Sequence, residues 1–414
     1  MRIHDNKKMT ILSWALYDFA NAIFAMNVIA LYFALWVTVE MGAPDIVYSL
    51  TLGVSMSLAA IAMPILGALS DKRAKRMPYL IFFTVFCVVF LAFIGMVSSL
   101  KLGLIFFGIA NFGYLISGAV FYNALLPDVA DKEKIGAISG YGICLSYAGT
   151  ITGLLLIRPI ALKFGYQATF MPTALLFLLF ALPCLLFVKD KPSSSKAART
   201  GELIRDSFKD LLLTLGDIRR SKELSSFFLG IFIIINSVNA VFIFMSVYLK
   251  KVFLFSDGEI MTLYIYSNIF SLVGALVSGA VSDKLGAKRT LVAAIGICSV
   301  AVFAGVVTPT KHVLWVVGPM VGLAFSSIRV SGRALAVEIF PKEKIGQIFG
   351  HLGFLSNLAF LGLLAWGLSV YLFEPLGNFK YRIALFTLLL ILLLGINILH
   401  KGGVHDQGKD RERA

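Results

Sequence analysis

Charged residues are scarce in this chain. Only 14% of its 414 residues are Asp, Glu, Lys or Arg, whereas 58% are hydrophobic, and the mean hydropathy is +0.87. Globular water-soluble domains carry about 25% charged residues, so water cannot solvate most of this surface. The composition therefore disfavours a water-soluble protein and indicates an integral membrane protein.

Cysteine and histidine are also rare, with four and five copies respectively. All four cysteines fall inside apolar runs, which is typical of small core residues and not of disulfides or metal ligands. The sequence contains no cluster of His, Cys and carboxylate residues at metal-ligand spacing, which argues against a metal site and against a membrane-embedded enzyme. It also lacks a P-loop, so we expect no direct ATP-driven pumping.

Long apolar runs are abundant instead. A run of about twenty residues can cross a hydrocarbon core of about 30 Å as a helix. We predict an all-α membrane protein with both termini on one side of the membrane and no cleavable signal peptide, because the first run is too long. Twelve transmembrane helices are predicted near residues 10–39, 46–70, 78–98, 102–126, 136–160, 165–188, 223–249, 256–282, 290–308, 312–338, 345–371 and 380–400.

Lys and Arg are distributed unequally over the two predicted faces of the membrane. The N-terminus, alternate loops, the central linker and the C-terminal tail hold 27 of the 37 basic residues, and the opposite face holds 8. Because cytoplasmic loops are enriched in Lys and Arg, we expect both termini in the cytoplasm. The net charge of +14 is thereby attributed to membrane topology and not to nucleic-acid binding.

A polar linker over residues 189–222 divides the chain into two parts. We predict one six-helix bundle over residues 1–188 and a second over 223–414, the latter ending in a short cytoplasmic tail. The second part of the linker places apolar residues at helical spacing and charges on the other face. This pattern is typical of an amphipathic helix lying on the cytoplasmic interface. A solvated linker helix without membrane contact is the alternative.

Two loop sequences recur in the second half of the chain. GALSDK at 67–72, followed by a Lys-Arg pair at 75–76, returns as GAVSDK at 279–284 with a Lys-Arg pair at 288–289, and KEKIG at 132–136 returns unchanged at 342–346. The two offsets are 212 and 210 residues. Internal repeats of this kind are typical of transporter folds that hold the solute between two related bundles near the membrane midplane.

The first of these loops resembles the signature of the major facilitator superfamily. The resemblance implies two pseudo-symmetric six-helix bundles that rock about a central path in alternating access. It also implies a charge latch in each loop, with Asp71 and Arg76 in the first and Asp283 and Arg289 in the second. Ordinary loop charge with a capping Asp is the alternative.

Further motifs narrow the resemblance. WALYDFAN at 14–21, VFYNALLP at 120–127, SGYG at 139–142 and RAL at 333–335 with a following proline resemble the Atg22-like (UMF1) branch, which is related to vacuolar amino-acid effluxers of yeast. The resemblance implies an amino-acid-like solute. The sequence departs from the branch at Ala22, Arg329 and Glu338, where Ser, Gln and a basic residue are common.

Three charged residues stand well inside the predicted spans: Asp18, Arg329 and Arg333. Such charges usually face the bundle interior or a watery path. In the implied architecture helices 1, 4, 7 and 10 line that path. Asp18 lies about 15 Å along its helix from the cytoplasmic end and Arg333 about 14 Å from the same face. We predict that they form a pair that opens and closes during transport, with a static ion pair as the alternative.

Arg329 lies one helical turn from Arg333, on the same face. A planar guanidinium pairs with carboxylate or phosphate, so the two arginines predict an anionic or carboxylate-bearing solute. Polar residues on the other path-lining helices are further candidates, although helical amides also serve as packing contacts between helices. The full set of candidate solute-binding residues is Asp18, Asn21, Tyr122, Asn123, Asn236, Asn239, Arg329 and Arg333.

These features together predict an alternating-access secondary transporter of a small carboxylate-bearing solute such as an amino acid. A peptide or muropeptide permease is the main alternative, and a lipid-handling membrane protein is a third. We expect no enzymatic activity, no nucleic-acid partner and no cofactor, and a monomer in a bacterial inner membrane. Proton coupling through Asp18 remains open beside facilitated diffusion.

Overall fold

The computed structural model describes residues 2–73, 75–129, 135–190, 222–339 and 360–401. Over these ranges the secondary structure is helical, and no β-strand occurs in them. Eleven of the described helices are long and apolar enough to cross a membrane, and one apolar helix is shorter, Leu361–Leu372. The predicted all-α membrane architecture is confirmed.

Six long helices lie in the described part of the first half of the chain. They are α1 (Arg2–Phe24), α2 (Asp45–Arg73), α3 (Met77–Ile94), α4 (Leu100–Ile116), α5 (Ile135–Phe164) and α6 (Phe170–Phe187). Beyond its α-helical part, α1 continues to Glu40, mainly as the π-helical stretches Ala25–Tyr32 and Trp36–Glu40. In the same way α4 continues as the π-helix Ser117–Tyr122. Apolar residues dominate the membrane-spanning parts of these helices because lipid and neighbouring helices surround them.

Six more helices form the second half. They are α7 (Lys222–Val252), α8 (Asp257–Leu285), α9 (Ala287–Val307), α10 (Leu314–Ile339), α11 (Leu361–Leu372) and α12 (Phe379–Lys401). Ser256 caps the start of α8 in a capping box with Glu259, which satisfies main-chain donors at the helix end. The predicted amphipathic helix of the linker lies outside the described residues.

The described residues divide into two compact units. The N-terminal unit contains residues 2–43 and 50–190, and the C-terminal unit contains residues 44–49, 222–339 and 360–401. In the N-terminal unit α1 packs on α5 and α6, while α3 packs on α4. In the C-terminal unit α10 packs on α8 and α9, while α7 packs on α12.

The first turn of α2 is part of the C-terminal unit. Asp45 and Tyr48 are buried there. The Asp45 carboxylate accepts a hydrogen bond of 2.9 Å from Trp366 Nε1, and the Tyr48 ring meets the edge of Phe244 at a centroid distance of 5.7 Å. Phe244 and Trp366 stack at 5.0 Å. Six residues from the first half of the chain thus complete the core of the second.

Glycines permit the closest helix contacts. A Cβ at Gly149 of α5 would collide with the main chain of Phe19 in α1, and one at Gly322 of α10 would collide with the main chain of Ser267 in α8. Small residues let helix backbones approach in membranes, where van der Waals packing drives association. Gly149 therefore acts as a packing residue between α1 and α5.

Candidate functional site

Tyr122 organises an aromatic cluster in the N-terminal unit. Its ring stacks on those of Trp14 and Tyr17 in α1, with centroids 4.8 Å apart in each case. Trp14 Nε1 donates to the main-chain oxygen of Tyr122 at 3.4 Å, and the hydroxyls of Tyr17 and Thr84 share a hydrogen bond of 2.6 Å. The three rings are buried. Residues from two of the sequence motifs therefore pack on one another and fix α1 against α3 and α4.

Asp18 lies beside this cluster on α1. It is half-buried and interacts electrostatically with Tyr122. Its Oδ2 atom lies against Gly142 of α5, where any Cβ would collide with it. The carboxylate fits because α5 carries a glycine at this position. A third sequence motif, SGYG at 139–142, thereby meets the other two at Asp18.

Two asparagines of α1 and its π-helical continuation present buried amide atoms. Asn21 lies next to Gly118 and Asn27 next to Gly153. Among the described residues, Oδ1 of Asn21 and both amide atoms of Asn27 have no hydrogen-bond partner. An unpaired buried amide lowers stability by about 1–3 kcal/mol unless water or a solute satisfies it. Both are therefore candidate contacts for a polar solute, whereas Asn123 is exposed just beyond the π-helix that continues α4.

The π-helical stretches of α1 and α4 occur in this same region. They contain Asn27 and Tyr122 respectively, and the Phe24 and Tyr114 rings stack at 4.4 Å just before the two stretches begin. π-Helical turns are rare and are frequent at functional sites. Two of the helices predicted to line the path thus have widened turns beside the polar residues.

Arg329 and Arg333 of α10 lie in the C-terminal unit, and both are exposed. The Arg329 guanidinium lies over the Phe325 ring, with its Cζ atom 5.6 Å from the centroid. Phe325 in turn stacks on Phe242 of α7 at 5.4 Å. A cation–π contact orients the guanidinium without neutralising its charge. Arg329 therefore retains a positive charge that can meet an anion.

Asn236 of α7 has both ends of its amide engaged. Its Nδ2 donates to the main-chain oxygen of Phe232 at 2.9 Å, and its Oδ1 accepts from the main-chain N–H of Gly362 at 3.2 Å. A Cβ at Gly362 would collide with the main chain of Asn236. This geometry favours a packing role between α7 and α11. Asn239, one turn further along α7, is half-buried.

Arg76 connects three helix ends in the N-terminal unit. Its Nη1 donates to the main-chain oxygen of Ala124 at 2.8 Å and lies 3.4 Å from Oδ2 of Asp128. The main-chain N–H groups of Arg76 and Met77 donate to the Asp190 carboxylate at 3.0 and 3.1 Å. The start of α3 is therefore held to the ends of α4 and α6. The side chain of Asp71, the predicted latch acid, lies outside the described part of the chain.

The equivalent loop of the C-terminal unit places Asp283 near the end of α8 and Arg289 near the start of α9. Both are exposed, and they flank Gly286, whose φ of +90° favours glycine. Sequence reasoning missed Asp128 and Asp190 as the partners of Arg76 in the first loop. The available signal was topological, because both acids fall at helix ends predicted on the same membrane face as the basic loop.

Comparison with known proteins adds a family match. The family model described as Major Facilitator Superfamily matches residues 17–364, with a further match over 227–399. The uncharacterized MFS-type transporter YxiO of Bacillus subtilis (strain 168) is 25% identical over 410 residues, covering 94% of this chain and 93% of that protein. The multi-drug resistance efflux pump PmrA of Streptococcus pneumoniae is 27% identical over 314 residues, covering 72% of this chain and 73% of the pump.

Solved transporter structures share the fold. A bacterial homolog of the human lysosomal transporter Spinster, inward-facing and unoccupied, matches with a TM-score of 0.78 at 14% identity, over 96% of this chain and 97% of that one. A mutant of the nucleoside transporter NupG matches with a TM-score of 0.77 at 15% identity, over 95% and 99% of the two chains. At such identities the likeness concerns the fold alone, and it confirms the predicted two-bundle helical architecture.

Proposed function

The chain belongs to the Major Facilitator Superfamily, and on that premise we propose that its solute is a small molecule bearing a carboxylate, such as an amino acid. The protein is a multi-pass membrane protein and a secondary transporter, not an enzyme. The observation that carries the proposal is Arg329, an exposed guanidinium oriented by Phe325 within a helix. A charge at such a position is costly and usually belongs to a transport path.

The charged side chains of the two units differ in the chemistry that they offer. Arg329 and Arg333 supply forked donors that suit a carboxylate. In the N-terminal unit, the Asp18 carboxylate and the unpartnered Oδ1 of Asn21 supply acceptors that suit an ammonium group. An amino acid carries a carboxylate of the kind that the two arginines suit, which supports it as an example of the solute.

A ligand screen with the purified full-length protein tests this proposal. Amino acids, dipeptides, sugars, nucleosides and organic anions are compared for their effect on the melting temperature, since a ligand that binds the folded state raises it. We expect stabilisation by compounds with a free carboxylate and none by their amides or methyl esters. Stabilisation by neutral sugars or nucleosides, with none by carboxylates, would overturn the proposal. Stabilisation confined to dipeptides would favour the peptide permease.

We also propose the Atg22-like (UMF1) branch, cytoplasmic termini and a bacterial inner membrane as the setting. The contacts of Tyr122 with Trp14 and Tyr17, and of Asp18 with Gly142, support the branch because they join its motifs. The distribution of 27 basic residues against 8 supports the orientation. A reporter enzyme that is active only outside the cytoplasm can be fused to the C-terminus. We expect this fusion to show no reporter activity, because the C-terminus is proposed to be cytoplasmic.

Multi-drug efflux is a second candidate function. It is favoured by the 27% identity over 72% of the chain to the multi-drug resistance efflux pump PmrA. The two candidate functions differ in whether the solute must carry a negative charge. A carboxylate transporter discriminates between an acid and its amide, whereas a pump for chemically diverse compounds would bind neutral and cationic compounds as well.

A further inference from the structure

A groove on the surface of the C-terminal unit lies between the end of α9 and the start of α12. It has a volume of about 590 Å³, within the range of small-molecule pockets. Residues 306–309 form one wall, and Phe379, Arg382, Ile383 and Phe386 of α12 form the other. Both helices are long and apolar enough to cross the membrane. A groove at their ends therefore lies near the boundary between the hydrocarbon core and the lipid headgroups.

The lining of this groove is mainly apolar. Val307, Phe379 and Phe386 are exposed in it. The Thr308 hydroxyl is already engaged, since it donates to the main-chain oxygen of Thr310 at 3.1 Å and accepts from the main-chain N–H of the same residue at 3.3 Å. The groove therefore offers an apolar surface and one charged group, Arg382.

Arg382 is held across the end of α9. Its Nη1 donates to the main-chain oxygen of Val306, and its Cζ atom lies 5.2 Å from the centroid of the Phe253 ring. A cation is favourable at the C-terminal end of a helix, which accounts for this contact. The hydrogen bond uses one of the five N–H donors of the guanidinium. The side chain is thus fixed in place while it lines the groove.

Within the described ranges no carboxylate forms an ion pair with Arg382. Two lysines at the same end of the unit differ in this respect, because Lys311 pairs with Glu259 at 2.7 Å and Lys380 pairs with Glu374. The residues that line the groove also include no acid. A guanidinium fork matches the oxygens of a phosphate, so the chemistry of the groove suits a phosphate group with apolar groups attached.

The exposed apolar surface continues from the groove along both helices. Its members are Val300, Phe303 and Val307 on α9, and Phe386, Leu390 and Leu393 on α12. Successive members of each row are three or four residues apart, so each row lies on one face of its helix. A row of this length spans about 10 Å along the helix axis. The two rows run from the groove toward the middle of the membrane, as lipid acyl chains do.

We propose that this groove binds one anionic phospholipid, such as phosphatidylglycerol, whose phosphate pairs with Arg382 and whose acyl chains lie on the two apolar rows. A headgroup with an ammonium group fits less well, because that group would meet Arg382 and no acidic residue of the lining. The lipid site is separate from the residues proposed to bind the solute, so either proposal can hold without the other.

Lipid titration of the purified, delipidated full-length protein tests the proposal. Native mass spectrometry measures the binding of phosphatidylglycerol and of phosphatidylcholine with the same acyl chains. We expect one phosphatidylglycerol to bind about tenfold more tightly than phosphatidylcholine, because only the former has a net negative headgroup. Equal affinities for the two lipids would overturn the proposal.

Inorganic phosphate distinguishes a lipid from a free anion. We expect phosphatidylglycerol to raise the melting temperature of the protein and inorganic phosphate to leave it unchanged. An equal rise with inorganic phosphate would assign Arg382 to a free anion and would overturn the lipid site.

Two neighbouring substitutions on α12 test the role of the charge. Arg382→Gln removes the guanidinium and keeps an amide donor for the Val306 oxygen, whereas Lys380→Gln removes a positive charge two residues away that does not line the groove. We expect Arg382→Gln to weaken phosphatidylglycerol binding about tenfold and Lys380→Gln to change it little. An equal loss in both variants would show that net charge alone attracts the lipid, and it would overturn the site.

A second pair of variants tests the groove itself. Val307→Trp places a large ring in the groove, whereas Val316→Trp adds the same ring at an exposed position of α10 outside the lining. We expect Val307→Trp to weaken phosphatidylglycerol binding several-fold and Val316→Trp to leave it unchanged. Equal binding in the two variants would contradict the proposal. If Arg382→Gln does not fold, this pair and the lipid titration of the wild-type protein decide.

Discussion

Two charged residues in the helices are placed by quite different neighbours. Arg329 lies over the face of Phe325, which orients the guanidinium. Asp18 fits its position because Gly142 on the facing helix has no side chain. Each charge can therefore be disturbed through a neighbour as well as by direct substitution.

Substitution of Gly142 should act on Asp18. In Gly142→Ala the new methyl group occupies the place of Oδ2 of Asp18, so the carboxylate has to move and solute binding should fall several-fold. Gly140→Ala is the control, because a Cβ at Gly140 meets no atom within 4 Å. Ligand-induced shifts in melting temperature give the measurement. Equal shifts in the two variants would show that the position of Asp18 does not affect binding.

Removal of the charge at Arg329 should weaken carboxylate binding without loss of protein. In Arg329→Gln a charge-assisted contact is lost, which corresponds to about tenfold to hundredfold in affinity. Binding of carboxylates is measured beside the yield of folded protein. Arg158→Gln on α5 serves as the control for removal of an arginine from a membrane helix. Unchanged affinity in Arg329→Gln would exclude it as the carboxylate contact.

At the level of helices, the sequence predicted the spans well because hydrophobic length is imposed by the bilayer. The prediction of residues 312–338 corresponds to α10 at Leu314–Ile339, and that of 78–98 corresponds to α3 at Met77–Ile94. The π-helical stretches of α1 and α4 were not predicted. Their register depends on how Tyr122 and its neighbours pack between helices, and apolar composition carries no signal of that.

The contacts of the candidate site could be predicted from the sequence less completely than the helices. The motifs identified Asp18 and Tyr122, which the structure brings together. They gave no indication that the Asn236 side chain would hold α11, because its acceptor Oδ1 bonds a residue that lies 126 positions away in the chain. The engagement of Arg76 with Asp128 also depends on two loops meeting in space.

The contact of α1 with α5 should be sensitive to the size of residue 149. In Gly149→Ala the added methyl group collides with the main chain of Phe19, so the helices must separate and the melting temperature should fall by several degrees. Gly296→Ala in α9 is the control, because a Cβ there meets no atom within 4 Å. It should leave the melting temperature unchanged or raise it slightly. A fall of equal size in both variants would contradict the packing role.

At the scale of the whole molecule, the two repeated halves carry charges of opposite sign within their helices. Asp18 comes from the N-terminal unit and Arg333 from the C-terminal unit. We predict that Asp18→Asn and Arg333→Gln each abolish transport, and that the exchange of Asp18→Arg with Arg333→Asp restores part of it. Solute flux into proteoliposomes gives the measurement.

The same variants distinguish a moving pair from a fixed one. A pair that opens and closes should affect flux while the melting temperature changes little. If the pair is fixed, each single substitution should lower the melting temperature, and the double exchange should restore it. Normal flux in Asp18→Asn would exclude the pair in either form.

The grouping of residues 44–49 with the C-terminal unit has a consequence for biosynthesis. Asp45 leaves the ribosome 321 residues before its hydrogen-bond donor, Trp366. Until α11 has been synthesised, the buried Asp45 carboxylate lacks the indole N–H that it accepts from in the folded protein. Packing of the start of α2 is therefore completed only near the end of translation.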